Sequence, residues 1–277
     1  MNATTQFWRD PALPYAESRR ACHSRACYKP HSHPTFSIGA VDRGCSLFTG
    51  ASESPVLLRA GTLVFVPAAR VHACNPVPDS AWSYQMLHLD AQWLQAVRQE
   101  YAMAEARRDD DEPARVVAAP AIYAKFCRLN AGLFSDADPQ DKEAALIEFI
   151  GDCDREQSAQ WAQWADIDTP PRSPGLSKRL APALELLRGE PTANAPLERL
   201  ARLVGMSRYQ LIRAFRSATG FTPHAWQLNQ RVNLARERMR AGDGIADVAH
   251  DLGFADQAHF QRVFKAHAGV TPGCFRA

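Results

Sequence analysis

The chain has no long apolar run: its most apolar stretch, Thr62 to Val66, is far too short to span a bilayer, so no membrane partner is expected. The first residues show no basic stretch followed by an apolar one, and no signal peptide is expected. The seven cysteines form no Cys-x-x-Cys pair, and an odd, scattered set suits reduced thiols in a cytoplasm better than a disulfide framework. The C-terminal half has no nucleophile–base constellation, so no enzyme activity is expected of it. Net charge of one sign is also nearly absent, at +2 overall, but this sum hides an asymmetry. Ser177 to Ala277 holds 15 Lys+Arg against 8 Asp+Glu, a balance of +7, and the remainder is acidic at 17 against 22, or −5. A basic C-terminal part joined to an acidic one fits a polyanion reader attached to a domain that does not bind nucleic acid.

What is present is ordinary in bulk and unusual in pattern. With 277 residues, 46% hydrophobic and 22% charged, the chain can build two domains with real cores. The stretch from Leu197 to Arg276 is written twice. The positions of Leu211, Arg213, Phe215, Gly220 and Pro223 are taken 49 residues later by Phe260, Arg262, Phe264, Gly269 and Pro272. Ala201 and Gly205 recur after 48 residues, as Ala249 and Gly253, so one residue is inserted between Gly253 and Asp256. Each copy reads as a positioning helix, a glycine turn and a second helix, capped by Ser207 in one and Asp256 in the other. Between them, Thr222 to Ala241 reads as one connecting helix with Pro223 at its first position. Its Arg231, Arg236, Arg238 and Arg240 suit either solvent or phosphate. Ser177 to Arg188 is expected to be a helix that tolerates Pro182.

From Tyr28 to about Asp90, short apolar runs broken by Gly, Pro, Asp and Ser predict a small antiparallel barrel or sandwich. Trp82, Tyr84, Met86 and His88 share one strand face by the two-residue period, so they are placed to line an interior. His31-Ser-His33 precedes a strand, and Gly61, Pro67, His72 and Asn75 follow at a set spacing. These two pieces resemble the motifs of the cupin barrel, whose metal-binding members hold a divalent ion with three histidines and a glutamate. Here Ser37 or its apolar neighbours stand at the glutamate position, and Ala69 replaces a glycine. Two readings stay open for His31, His33 and His72: three imidazole ligands for zinc or a similar ion, or residues of the barrel mouth hydrogen-bonded to a ligand or to backbone. No cofactor beyond such an ion is expected. The interior is the default small-molecule pocket, with His31, His33, Phe36, His72, Trp82, Tyr84 and His88 as candidate effector contacts.

Ala91 to Arg108 has helical composition, with Leu94, Val97 and Tyr101 on one side, and Asp109 to Glu112 reads as a solvated loop. Two helices follow, about Ala121–Phe134 and Gln140–Trp161. Ile122, Phe126, Leu129 and Leu133 fall on one face of the first, and Leu146, Phe149, Ile150 and Cys153 on one face of the second. Such stripes serve either packing on the barrel or a homodimer interface. Asp166 to Gly175, with three prolines, is the interdomain linker. The expected domains are thus residues 1–165, a linker at 166–176, and 177–277.

Residues 177–277 resemble the DNA-binding domain of AraC/XylS-type transcription regulators. The likeness is carried by Leu200-Ala201, Gly205-Met206-Ser207, Leu211-x-Arg213-x-Phe215, Gly220-Phe221-Thr222-Pro223, Ala246-x-Val248-Ala249, Leu252-Gly253-Phe254, His259-Phe260-x-Arg262-x-Phe264-Lys265 and Gly269-Val270-Thr271-Pro272. It implies seven helices, with two recognition helices held about 34 Å, one DNA turn, apart by a rigid connecting helix. It also implies an N-terminal cupin-like sensing domain and an encounter with RNA polymerase. The overall class is α+β: a small β-barrel with following helices, then an all-α domain with two helix-turn-helix units. The candidate DNA contacts are Arg208, Tyr209, Ile212 and Arg213 in the first unit, and Gln257, His259, Gln261 and Arg262 in the second. Arg213 and Arg262 occupy equivalent places, where a guanidinium bonds guanine in pairs or clamps a phosphate. Ile212 would meet a thymine methyl, and His259 supports phosphate or the fold. The expected protein is a cytoplasmic, effector-responsive regulator of a double-stranded DNA operator. The rival is a metal-dependent cupin enzyme fused to a DNA-binding anchor.

Overall fold

The computed structural model describes residues 3–52, 54–101, 113–160, 174–192 and 195–276. The chain divides into two compact units, Met1–Cys27 with Ser32–Thr169, and Tyr28–His31 with Pro170–Ala277. The transfer of Tyr28–His31 to the C-terminal unit departs from the continuous first domain read from sequence. It reflects a main-chain bond from Lys29 N–H to Ala266 O at 2.8 Å, which no local pattern announces.

The first unit begins with two strands, β1 Thr4–Arg9 and β2 Ala16–Ser24. It continues through β3 Phe36–Arg43, β4 Cys45–Thr49, β5 Val56–Arg59, β6 Leu63–Val66, β7 Ala73–Pro76 and β8 Trp82–Leu89. Helix α1 Ala91–Tyr101, strand β9 Arg115–Val117, and helices α2 Pro120–Leu133 and α3 Pro139–Gln160 complete it. The strands form a six-stranded antiparallel sheet in the order β1-β2-β8-β3-β6-β9 and a three-stranded sheet in the order β5-β4-β7. Strands β1 and β2 lie ahead of the stretch that looked strand-like in sequence. Their polar residues, exposed Gln6 and half-buried Arg19 and Arg20 among them, interrupt the apolar period that marks a strand in sequence.

Alternation along the large sheet feeds two separate cores. Phe36, Ile38, Ala40, Leu63, Phe65, Leu87 and Leu89 point to the helices and pack with Leu94, Val97, Ile122, Phe126, Leu129, Leu133, Leu146, Phe149 and Ile150. The intervening Val41, Val64, Val66, Trp82 and Tyr84 point the other way and meet Phe48, Leu58 and Cys74 from the small sheet. The apolar stripes of α2 and α3 are therefore consumed by the core, which removes them as a dimer interface. A buried polar chain crosses from sheet to helix within this layer: Asn130 Nδ2 donates to Gln85 Oε1, and Gln85 Nε2 donates to Asp42 at 2.8 Å. The side chain of Tyr101, the acidic run Asp109–Glu112, Trp161 and most of the expected linker lie outside the described residues.

The second unit holds seven helices among the described residues. They are α4 Pro174–Gly189, α5 Leu197–Leu203, α6 Arg208–Thr219, α7 Pro223–Arg240, α8 Ile245–Asp251, α9 Gln257–Ala268 and α10 Pro272–Arg276. Helix α4 starts inside the expected linker, since proline is tolerated in a first turn. Leu211, Phe215, Phe260 and Phe264 are fully buried, and the ring pairs Phe254–Phe260 (5.0 Å) and Phe264–Phe275 (5.4 Å) run through the second half of the core. Gly205 and Gly253 both hold the left-handed conformation, at φ +63° and +72°, that a helix-turn-helix turn requires. At Gly253 there is a second demand, because a Cβ would lie 2.7 Å from Thr192 O.

Of the basic residues of α7, Arg231 and Arg238 have structural tasks rather than the solvent or phosphate roles expected of them, while Arg240 is exposed. Arg231 is buried and donates to Pro191 O at 2.6 Å, Thr192 O at 2.8 Å and Gly253 O at 3.4 Å. One guanidinium thus joins the α4–α5 connection to the turn of the second helix-turn-helix, and burial holds its pKa below the usual arginine value. Arg238 bridges Asp243 (2.6 Å) and Asp251 (2.9 Å), tying α7 to α8, and Arg240 lies over the Phe275 ring. Replacing Arg231 with Met is expected to lower the stability of the full chain by about 2–4 kcal/mol, because charge-assisted bonds are lost and buried carbonyls remain. A urea midpoint unchanged from wild type would show that these carbonyls find other donors.

Candidate functional sites: a histidine-lined sandwich and two recognition helices

In the N-terminal unit, the cavity between the sheets is lined by Ser37, Gly39, Phe48, Val64, His72, Cys74, Trp82, Tyr84 and Met86, among others. Its volume is about 20 Å³, room for one water. Trp82 and Tyr84 stack at 4.2 Å, and the Met86 methyl lies over Gly39, where a Cβ would stand 3.2 Å away. Side chains fill most of the interior. Phe36, expected in the pocket, sits on the opposite face of β3 and packs with the helices, as the two-residue period requires once the inward face is known to carry Ser37 and Gly39.

The histidines gather at one end. His31, His33 and His72 are all buried, and the His33 and His72 rings of the first unit stand 4.9 Å apart. Each ring is held the same way: Nδ1–H donates to a main-chain carbonyl two residues away, Lys29 for His31, Thr35 for His33 and Arg70 for His72, each at 2.9 Å. This anchoring, which fixes ring orientation and directs Nε2 away from the carbonyl, is the outer-shell arrangement found around metal-ligating histidines. His88 stands 5.0 Å from the His33 ring, and its Nδ1 is 2.7 Å from Ser37 Oγ. Ser37 therefore takes the place where a cupin carboxylate is expected, and it gives a hydroxyl in place of a negative charge. The three anchored imidazoles fit a divalent ion such as zinc, which accepts three nitrogen ligands and an open position.

Ala69, which stands for the motif glycine, adopts φ +60°, and its N–H donates to His33 O at 2.8 Å. The backbone still makes the glycine turn, with an exposed methyl in strained geometry.

In the C-terminal unit, α6 and α9 are both 12 residues long and end on left-handed glycines, Gly220 and Gly269. Ser207 caps α6 in a reciprocal box with Gln210, and Asp256 caps α9 by accepting from His259 N–H at 2.5 Å. The turn before α9 is one residue longer, which is where the inserted residue resides. Arg208, Tyr209 and Arg213 are exposed on α6 and Ile212 is half-buried. Tyr209 is 67% exposed, an unusual state for a large aromatic ring, and its hydroxyl accepts from Arg213 Nη1 at 3.1 Å. Arg208 pairs with Glu198 of α5 at 2.5 Å. On α9, Gln257, Gln261 and Arg262 are exposed, and half-buried His259 leans on Phe254 at 5.7 Å.

The two units match two known descriptions. Residues 13–149 match the AraC-like ligand binding domain, and residues 200–277 match a helix-turn-helix domain. YbfI of Bacillus subtilis, an HTH-type transcriptional regulator, is 23% identical over 261 residues, or 93% of this chain and 90% of that one. RipA of Corynebacterium glutamicum, also an HTH-type transcriptional regulator, is 34% identical over 109 residues, 39% of this chain but 32% of its own length. Apo ToxT from Vibrio cholerae shares the fold along the whole length, with a TM-score of 0.59 at 13% identity, covering 100% of this chain and 97% of that one. Fold and sites together define a two-domain regulator in which a ligand-binding β-domain precedes a DNA-binding helical one. The chain belongs to the AraC-type family of ligand-responsive transcription regulators.

The sequence pattern did not reveal the inward side of Arg19, the buried role of Arg231 or the Ser37–His88 link. Only Arg19 left a trace, as one of the alternating residues Glu17, Arg19 and Ala21 in a strand too polar to notice. Ala69→Gly is expected to raise stability by up to about 1 kcal/mol, the relief of a left-handed alanine less the entropy that glycine adds to the unfolded chain. A fall in the denaturation midpoint would mean that the methyl contributes packing.

Proposed function

We propose that α6 and α9 enter successive major-groove segments of one operator, so that each chain reads an asymmetric site. The observation that carries this reading is a pair of equally long, separately capped helices presenting unlike sets, Arg208, Tyr209, Ile212 and Arg213 against Gln257, His259, Gln261 and Arg262, of which Ile212 and His259 are half-buried and the others exposed. Arg213 and Arg262 take guanine edges or phosphate, Tyr209, Ile212, Gln257 and Gln261 take base edges, and Arg208 and His259 support them. The N-terminal sandwich binds a small effector, and this changes how the helices are presented to DNA and RNA polymerase. ToxT has been determined with a bound unsaturated fatty acid; the sandwich of this chain is given only the general role of small-molecule capture. The working compartment is the cytoplasm, consistent with the absence of a membrane-crossing helix among the described residues. A homodimer, formed through a surface other than the buried stripes of α2 and α3, supplies any twofold operator symmetry. The chain works as a regulator and not as an enzyme.

Selection of bound sequences from random duplex DNA is expected to return two unlike segments about 10–10.5 base pairs apart, centre to centre. A single short segment would overturn the two-helix reading. On the selected site, Arg262→Ala is expected to weaken binding by about 1–3 kcal/mol. Affinity equal to wild type across a salt titration would remove Arg262 from the interface.

A second reading concerns the histidines. The three main-chain-anchored imidazoles favour a bound divalent ion, held by His31, His33 and His72, which would supply a positive charge and an open coordination position. Purified protein is expected to carry about one metal per chain, lost in His72→Ala. Metal-free protein with an unchanged melting temperature after zinc addition would leave the cluster as a set of hydrogen-bonding residues. Metal together with turnover of a small molecule would instead favour the fused cupin enzyme.

A further inference from the structure

The two recognition helices are built on one plan, so their differences can be compared position by position. Helices α6 and α9 are both 12 residues long, begin at Arg208 and Gln257, and end on left-handed glycines. With the 49-residue offset of the repeat, Arg213 matches Arg262 at the sixth position and Tyr209 matches Ala258 at the second. Residues four apart on a helix are neighbours on its surface. The second position therefore decides what the shared arginine meets on its N-terminal side.

In α6 it meets a phenol. Arg213 Nη1 donates to Tyr209 Oη at 3.1 Å, and the guanidinium carbon lies 5.8 Å from the centre of the Tyr209 ring. In α9 it meets a methyl, since Ala258 has no side-chain hydrogen-bonding atom. Both arginines are exposed, as are Tyr209 and Ala258, so core packing does not separate the two cases. An arginine that is free in solvent samples many rotamers and loses that freedom on binding. One already held through Nη1 loses less. Its Nε and Nη2 keep two donors in the planar fork that matches guanine O6 and N7.

We infer that Tyr209 is a positioning residue that orders Arg213 for guanine, so that α6 demands its guanine more strictly than α9 demands the base at Arg262. This rests on the reading of α6 and α9 as DNA-reading helices, and adds which of them carries the stricter requirement and the residue that imposes it. Tyr209 acts here through an acceptor lone pair. Its own O–H and its ring stay available for the base contact already given to it.

The test is competition binding of the full chain to the operator selected from random duplex DNA, and to duplexes with each base pair exchanged singly, at one fixed salt concentration. Arg213→Ala locates the base pair: it is the guanine whose exchange for adenine weakens wild type but not this variant. At that pair Tyr209→Phe, which keeps the ring and loses the hydroxyl, is expected to cut the preference for guanine at least about threefold. Preferences in the α9 segment are expected to stay as in wild type. In an Arg213→Ala background the same substitution is expected to change nothing at that pair, as for a residue that acts through another. Exchange of the α6 guanine is also expected to cost wild type more than exchange of any pair that answers to Arg262→Ala. Thermal unfolding checks that each variant keeps wild-type stability. A Tyr209→Phe protein with undiminished guanine preference, or one whose losses fall equally on both segments, overturns the positioning role and leaves the two-helix reading intact. A selected operator in which no guanine answers to Arg213→Ala, or in which the Arg262 pair is the stricter one, overturns it as well. Failure of the full chain to select two segments at all brings down the two-helix reading itself.

Discussion

The six-stranded sheet imposes the constraint on which the N-terminal unit depends. Each of its strands divides its side chains between two environments, a helix-backed hydrocarbon layer and a sandwich interior that is partly polar. Because the period is two, a residue's face is decided by its neighbours and not by its own chemistry. Phe36 goes to the helices and Ser37, beside it, to the histidines. Arg20 bonds Asn130 O under α2, and Arg19 turns to the Tyr84 ring. The outer layer therefore provides most of the hydrophobic stabilisation.

The C-terminal unit meets a different demand. It has to hold two short helix-turn-helix pairs as one reading head, although each pair alone buries little. Aromatic packing through Phe254, Phe260, Phe264 and Phe275 does part of this, and α7 does the rest with its arginines. Arg231 binds carbonyls at the α4–α5 connection and at the second turn, and Arg238 binds the ends of α7 and α8. Charges that look like a phosphate-binding strip are turned inward or paired. Arg208, Arg213 and Arg262 remain exposed on α6 and α9.

The histidine cluster shows how a motif persists when one member changes. Three rings keep the same Nδ1-to-carbonyl anchor, and Ala69 keeps the backbone shape of the glycine it stands for. Ser37 gives a hydroxyl where a carboxylate would bring charge.

The duplication, the helix caps, the turn glycines and the exposed sets on α6 and α9 were legible in the sequence, because each depends on residues within one or two helical turns of one another. So were the apolar faces of α2 and α3 and the spacing of His31, His33 and His72. The leading strands β1 and β2, the burial of Arg231 and the side of the sheet on which Phe36 and Arg19 lie were decided only in the folded chain. The physical reason is the same in each case: β register and buried charge pairing join residues far apart in sequence, and a polar residue's environment is set by what the fold brings against it.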